Sequence, residues 1–486
     1  MGTEVMTAMI EERVPLAIGG RLVLGADGSY PVFNPARPDQ VVLAAPAASP
    51  GQLDEAAAAA RASQPAWAAL GFDERLALVE RAGKSAMDSI DLEATTTLLT
   101  REHGKILVES TFDLVTTAGM VGALAPLVAD SLGPLSAGTS VVERVPHGVV
   151  AAILPFNWPA AVMGNKILPA LLAGNTVVVK TPPTCPGAVL ALAGAIACRL
   201  PPGVLNALNG PTPELGAALV AHPDIDMVSF TGGVSAGRSV LTACAAHLRP
   251  AVLELGGNDP AIVAPDLEPS EEVAARPVEA AFTTAGQVCM AIKRLYVPAD
   301  RLRSWRDALV STLSRMVVGD GLRPEVTMGP VHTRAARDRV EAMIADAARN
   351  GAEVVRPATA IRPGSGWTVS PALVVAPDPD SALVRQEQFA PALPLLPYTK
   401  IDQAVAAAND TEFGLCASIW SGDAALADAL SRRLAAGTVW TNAHGMGAMD
   451  HLAPMGGWGD SGIGTELGVE GMAAFSRPRS LRRGSW

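Results

Sequence analysis

Between residues 149 and 230 short runs of uninterrupted apolar residues alternate with segments of helical length, and few folds accommodate that alternation. Val149-Val-Ala-Ala-Ile-Leu154 is apolar at every position, so a strand built from it must be covered on both faces, as in a parallel sheet. A loop follows, then Lys166-Ile-Leu-Pro-Ala-Leu-Leu172 reads as helix, and Gly174-Asn175 turns the chain into the strand Thr176-Val-Val-Val179. A helix over 188–200, an apolar run at 204–208, a helix over 215–221 and a strand at 227–230 complete the series. This order predicts a doubly wound parallel sheet. After Val252-Leu-Glu-Leu255 the alternation resumes, with strands expected at 261–263, 294–297, 351–355 and 418–420, as in a second α/β domain. Ahead of the first sheet, Ala17-Ile-Gly-Gly20 and Tyr30-Pro-Val-Phe-Asn-Pro35 read as an extended arm, and 54–107 as helical. The stretches 127–144 and 477–486 read as neither long helix nor core strand.

The 486-residue length exceeds one compact core, which makes two or three domains the expectation. A composition of 49% hydrophobic and 17% charged residues excludes a disordered chain. Lys plus Arg total 37 against 48 for Asp plus Glu, and the resulting net charge of −11 argues against nucleic acid or an anionic membrane as partner. The five cysteines, Cys185, Cys198, Cys244, Cys289 and Cys416, are scattered and odd in number, which fits neither a disulfide framework nor a zinc site, so no metal is expected. Residues 1–21 lack the charged-then-apolar order of an export signal, and the best membrane candidate, 160–180, is interrupted by Asn165, Lys166, Pro169 and Asn175. A soluble cytoplasmic protein is expected.

Several short motifs carry residues with chemical potential. Cys289, in Gly286-Gln-Val-Cys-Met290, is either a thiolate nucleophile or an inert buried cysteine. Glu254, in Leu253-Glu-Leu-Gly-Gly257, ends an apolar strand; burial there would raise its pKa toward that of a general base, and a structural salt bridge is the competing reading. The two glycines that follow allow a cofactor or another backbone to approach. Asn157, in Pro155-Phe-Asn-Trp-Pro159, follows a strand where such folds bind ligands; its amide could stabilise an oxyanion or close an Asx-turn. Phe230-Thr-Gly-Gly-Val-Ser-Ala-Gly237 offers backbone N–H groups for a pyrophosphate, but lacks the GxGxxG spacing. Lys180 closes a strand, and Glu387 lies in Gln386-Glu-Gln-Phe-Ala-Pro391.

In this order, and with Pro454-Met-Gly-Gly457 and Ser461-Gly-Ile-Gly464 at the end, the motifs resemble those of the aldehyde dehydrogenases over nearly the whole chain. The resemblance implies an α/β fold with a Rossmann-type NAD(P)-binding domain at 1–126 and 147–255, a catalytic α/β domain at 256–458, and a small β oligomerisation element from 127–146 and 459–486. It implies that Cys289 attacks an aldehyde, that Asn157 and the Cys289 N–H hold the oxyanion, and that Glu254 activates the water that hydrolyses the thioester. Lys166 and Glu466 match positions on a proton path. Lys180, Phe156, Thr231, Gly232, Gly233, Gly237, Leu255, Glu387 and Phe389 match cofactor positions. Trp158, Val162, Asn165, Val288, Met290, Met455 and the loop 444–451 match the substrate tunnel.

The departures bear on specificity. Pro183 stands where NAD-preferring relatives carry a glutamate on the adenine ribose, so a 2′-phosphate meets less repulsion and either NAD or NADP is expected. Gly233 replaces a serine, Gln386 a glutamate, Ala390 a glycine and Met455 an aromatic. The tunnel positions are mostly apolar and include no arginine, which predicts an uncharged aliphatic or aromatic aldehyde. A CoA-acylating relative usually lacks the base glutamate that is present here, and a non-catalytic binding protein would not need Cys289, Glu254 and Asn157 together. A homodimer or homotetramer is implied.

Overall fold

A computed structural model of the chain describes residues 14–357, 360–361 and 366–482; the expectations on residues 1–13 and 483–486 fall outside the described residues. The first sheet has the spatial order Arg21–Val23, Leu16–Ile18, Leu205–Leu208, Thr176–Lys180, Val149–Ile153, Met227–Thr231, Ala251–Glu254 and Gly462–Ile463. From Leu205–Leu208 to Ala251–Glu254 all neighbours run parallel. The chain starts at Val149–Ile153, builds outward on one side, then returns to build on the other. The reversal opens a crevice beyond the carboxyl ends of Val149–Ile153 and Met227–Thr231, where open α/β sheets bind ligands. In register, Ile153 lies beside Lys180 and Phe230, and Thr231 beside Glu254, so these residues reach one edge together. Both Val149–Ile153 and Thr176–Lys180 are buried along their full lengths.

The second sheet has the order Glu353–Val355, Ala372–Val375, Ala392–Tyr398, Ile292–Pro298, Asp259–Val263, Cys416–Trp420 and Thr438–Thr441, antiparallel only at its Glu353–Val355 edge. A third, three-stranded sheet pairs Ser140–Pro146 with Ser476–Arg482 on one side and Leu135–Ala137 on the other. The expected doubly wound sheet and second α/β unit are therefore present.

Three local expectations need correction. The stretch 127–144 was expected to hold no long helix, yet the helix Leu107–Leu132 runs through its first turns and contains Pro126, which in sequence reads as a stop. This helix, rather than 160–180, has the length and apolarity of a membrane span. Its Leu114, Leu124 and Val128 are fully buried in the core of the first unit, and its Asp113 is ion-paired with Lys105. Finally, Gly462–Ile463, expected in the oligomerisation element, pairs instead with Ala251–Glu254 at the edge of the first sheet.

Asn175 ties the turn before Thr176–Lys180 to the C-terminal segment. Its Oδ1 accepts from Gly148 N at 3.0 Å, and its Nδ2 donates to Ala170 O at 3.0 Å and Phe475 O at 2.8 Å. The side chain is fully buried, so Asn175→Ala would strip Gly148 N and Phe475 O of this partner, while Ala170 O keeps the Asn175 backbone N–H at 2.9 Å. The expected cost is about 2 kcal/mol. It would be read as a lowered midpoint in urea or in a thermal scan, and an unchanged midpoint would refute the assignment.

Candidate active site

Loops from both sheets converge on one cavity. Asn157, Trp158, Ala161, Val162 and Asn165 line it from the start of the helix Pro159–Leu172, and Thr231 and Glu254 from the ends of adjacent strands. Val288, Cys289 and Met290 form another wall, and Met446, Met449, His451, Met455, Glu466 and Leu467 close it from the C-terminal region. Phe112, Thr116 and Met120 reach it from the helix Leu107–Leu132. Of the tunnel positions expected from sequence, Trp158, Val162, Asn165, Val288, Met290 and Met455 are among these, and from the loop 444–451 only Met446, Met449 and His451.

A strained turn delivers Cys289. Thr284, Ala285 and Gly286 take φ values of 53°, 55° and 72°, in the left-handed region that costs a residue with a Cβ on the order of 1–3 kcal/mol. At Gly286 a side chain is also excluded by space, since a Cβ would lie 2.6 Å from Ala390 O. The turn is fastened from outside. Glu109 Oε1 accepts from Thr284 N at 2.7 Å, Gln287 Nε2 donates to Thr284 O at 3.0 Å, and Lys293 Nζ donates to Gly286 O at 2.8 Å. Gln287 also receives His332 N on its Oε1 at 2.8 Å, and its carbonyl receives Asn157 Nδ2 at 3.0 Å. That last bond fixes the Asn157 amide beside the cysteine loop and uses one of its two N–H groups.

The electrostatics at the sulfur are unfavourable to a thiolate. Burial first, then the negative charges of Glu387, Asp259 and Glu254, push the Cys289 thiol up to about 12, with Lys293 opposing. Glu254 is 7% exposed, and its Oε1 has no hydrogen-bond partner among the described residues. Burial and the neighbouring Glu466 hold its carboxyl well above the ordinary range, with Lys166 opposing. Lys166 is fully buried, with Nζ 2.5 Å from Glu466 Oε1 and 2.9 Å from Ser229 Oγ. A hydrogen-bonded Lys166–Ser229–Glu466 group thus sits next to Glu254.

The cofactor positions surround the same crevice. Gly233 precedes the helix Val234–Ala246, Gly237 N donates to Gly233 O at 2.9 Å, and Gly232 N donates to Glu254 O at 3.0 Å. The Leu255 side chain packs against Gly237 so closely that a Cβ there would be 2.4 Å from it. Lys180 is buried and its ammonium makes no hydrogen bond or ion pair with the described residues; desolvation lowers its pKa to about 8. Across the cleft, Glu387 Oε1 accepts from Gly257 N at 3.1 Å. Gly256 is required for this approach, because a Cβ would meet Glu387 Oε2 at 2.3 Å. Burial raises the Glu387 carboxyl to about 7, with Lys293 opposing. Phe389, at φ 48°, stands edge-on to Phe156 with centroids 5.9 Å apart, and Phe156 stacks on His332 at 4.5 Å. A buried unpaired lysine, the amino end of a helix and the orphaned Thr231 Oγ1 together suit an anionic dinucleotide.

Sequence reasoning missed Phe112, Thr116 and Met120, whose spacing of four on one helix is the only signal they carry. It also missed Glu109, Gln287, Lys293 and His332, which hold the cysteine loop through buried polar bonds.

Comparison with known proteins bears on the same residues. The model of the aldehyde dehydrogenase family matches residues 23–481. A geranial dehydrogenase from Castellaniella defragrans is 36% identical over 477 residues, covering 96% of this chain and 97% of that protein. The structure of a mutant aldehyde dehydrogenase C from Pseudomonas syringae, complexed with NAD+ and octanal, superposes with a TM-score of 0.90 at 33% identity, covering 96% of each chain. An NADP-dependent enzyme from E. coli superposes with a TM-score of 0.91 at 31% identity, covering 99% of each chain.

A thiol raised to about 12 alkylates through its minor thiolate fraction. Iodoacetamide labelling of the Cys289 peptide in the free protein should therefore rise about tenfold per pH unit from pH 7 to 10. Glu387→Gln removes a negative charge, lowers the thiol pKa and should accelerate labelling at fixed pH. A rate that is flat above pH 8, or slower in Glu387→Gln, would contradict this field.

Proposed function

The chain belongs to the aldehyde dehydrogenase family and is an NAD(P)-dependent oxidoreductase of aldehydes, and we propose that Cys289, Asn157 and Glu254 carry its chemistry by a hydrolytic route. The observation that carries this reading is their position on one cavity. The minor thiolate fraction of Cys289, its proton released to water, attacks the aldehyde carbon; a C–S bond forms and the carbonyl electron pair moves to oxygen. The free N–H of the Asn157 amide and the Cys289 backbone N–H stabilise that oxyanion; one such donor typically contributes about 10²–10³ in rate. When bound, the nicotinamide cofactor supplies the hydride acceptor. Cys289 is then left holding the acyl group as a thioester. Glu254, a carboxyl whose proton affinity is raised by burial and by Glu466, takes a proton from the attacking water once it is ionised. The C–S bond breaks, the acid leaves, and Lys166 with Glu466 offers the proton a way out.

Lys180, the backbone of Gly232 and Gly233, and Glu387 with Phe389 would hold the cofactor, and Phe156, Thr231, Gly237 and Leu255 would shape its cleft. The cavity lining includes no lysine or arginine but does include Glu254 and Glu466, which disfavours a substrate carboxylate. This supports an uncharged aldehyde, in keeping with the geranial and octanal of the relatives. The sheet formed by Ser140–Pro146 and Ser476–Arg482 exposes Val141 and Leu481, which supports pairing of subunits into a dimer or a tetramer. All five cysteines are free thiols, in keeping with a reducing cytoplasm.

Cys289→Ala should abolish reduction of the cofactor, and near-normal turnover would remove Cys289 from its role. Glu254→Gln should give a burst of reduced cofactor and then stall at deacylation; full steady-state turnover would exclude Glu254 as the base.

Cofactor choice has its own test. Pro183, whose carbonyl accepts from Tyr30 Oη at 2.7 Å, brings no carboxylate to the ribose site. NADP+ should therefore be used with a kcat/KM within about tenfold of that for NAD+. Lys180 is charged below about 8 and neutral above it. The NADP+ to NAD+ ratio of kcat/KM should accordingly fall from pH 7 to 9, and a constant ratio would separate Lys180 from the phosphate.

A further inference from the structure

The walls of the substrate cavity are mostly apolar, yet two of its buried polar side chains have no partner. Asn165 is 7% exposed, its carboxamide makes no hydrogen bond with the described residues, and its Oδ1 is sealed from solvent. Trp158 is 5% exposed, and its indole N–H is likewise sealed and unpaired. Neither is loosely placed. The Trp158 ring is held between the edge contact with Phe112 at 6.0 Å and the Lys105 ammonium 4.3 Å from its centroid. Asn165 sits in a fully buried run of the helix Pro159–Leu172. The residues Trp158, Ala161, Val162 and Asn165 follow the spacing of a single helical face, so the carboxamide lies about 10 Å along the helix from the end that carries Asn157. His451, on the opposite wall, adds a third unpaired atom, Nε2.

The mechanism uses none of these three atoms. An unpaired buried carboxamide is costly, and a cavity meant only for hydrocarbon would be better lined by leucine at that place. We propose that the cavity is built for an aldehyde that carries a second oxygen function, a hydroxyl group remote from the carbonyl, and that Asn165 receives it. This deepens the reading of the cavity as an aldehyde site and rests on it. A hydroxyl fits because it both donates and accepts, and a carboxamide answers it in either sense, with the Trp158 N–H and His451 Nε2 as further partners. A carboxylate does not fit, since Glu254 and Glu466 share the cavity with no cation on its lining. Val162, Val288, Met290 and Met455 enclose the carbon skeleton between the two oxygens.

The test compares substituents of equal size. kcat/KM would be measured for the ortho, meta and para hydroxyphenylacetaldehydes, each against the methyl compound of the same pattern, and for 8-hydroxyoctanal against nonanal, its methyl counterpart. At least one hydroxylated aldehyde should exceed its control by about tenfold or more in the wild-type enzyme. That ratio should fall to near one in Asn165→Leu and be partly kept in Asn165→Ser; using the ratio removes any general loss of activity or folding. Methyl compounds equal to or better than hydroxyl compounds throughout, or a ratio that survives Asn165→Leu, would overturn the proposal. Turnover of the methyl compounds without a hydroxyl preference would leave the aldehyde reading standing while the proposal falls. Wild-type enzyme that turns over no aldehyde would overturn both.

Discussion

The segment from His103 to Asp113 is the constraint on which the site depends, because it places buried charge between the two sheets and each charge there organises a loop. Lys105 and Asp113 form an ion pair at 2.8 Å with neither side chain exposed. Asp113 Oδ1 also accepts from Ala161 N at 2.7 Å, which orients the first turn of the helix behind Asn157 and Trp158. Glu109 Oε1 takes Thr284 N, and its other oxygen takes Ile106 N at 3.2 Å. Breaking a buried pair strands a charge and costs about 3–5 kcal/mol, so the Asn157 loop and the turn before Cys289 are pinned to one short piece of chain. The left-handed turn at Thr284 and Ala285 persists because these bonds over-determine it.

A second set of buried charges, around Cys289, disfavours a resting thiolate. Glu387, Asp259 and Glu254 surround a buried sulfur, and Lys293, whose own pKa is lowered by burial, compensates only in part. A field of this sign suppresses unproductive reaction of the thiol and favours any cation that enters the cleft. The net charge of the chain says nothing about this. What matters is that Glu387 is raised to about 7 by the same burial, so the cleft's own protonation state changes near neutrality.

The parts of the fold that were legible in the sequence are those where one physical demand dominates. Val149–Ile153 and Thr176–Lys180 are buried on both faces, and only continuous apolar strands survive there. Ala392–Tyr398 was missed because Pro394 and Pro397 mask an otherwise apolar strand, and Pro126 hid the continuation of a long helix in the same way. Glu254, Cys289 and Asn157 were legible as motifs with alternatives, and the structure brings all three to one cavity. The glycines after Glu254 were read as room for a neighbour. The neighbours are the Glu387 carboxylate at Gly256 and the Cys289 carbonyl at Gly257, contacts between distant segments that no local pattern encodes. Phe112 and Met120 were illegible for the same reason.

Departures from good packing point to the site without reference to any family. Among the described residues, several buried polar atoms lack a partner, and those of Trp158, Asn165, Thr231, Glu254 and His451 all lie on residues of one cavity. Others, such as Thr96 Oγ1, Trp305 Nε1 and Arg306 Nε, are dispersed through the rest of the molecule. The consecutive left-handed turn leads into Val288 and Cys289 of that cavity, and Glu254, a carboxyl raised by burial, lines it. Random imperfection would scatter such costs. Their concentration where Cys289, Glu254 and Asn157 meet fits a cavity whose polar atoms are completed by a ligand, and their relief on binding would be part of what selects it.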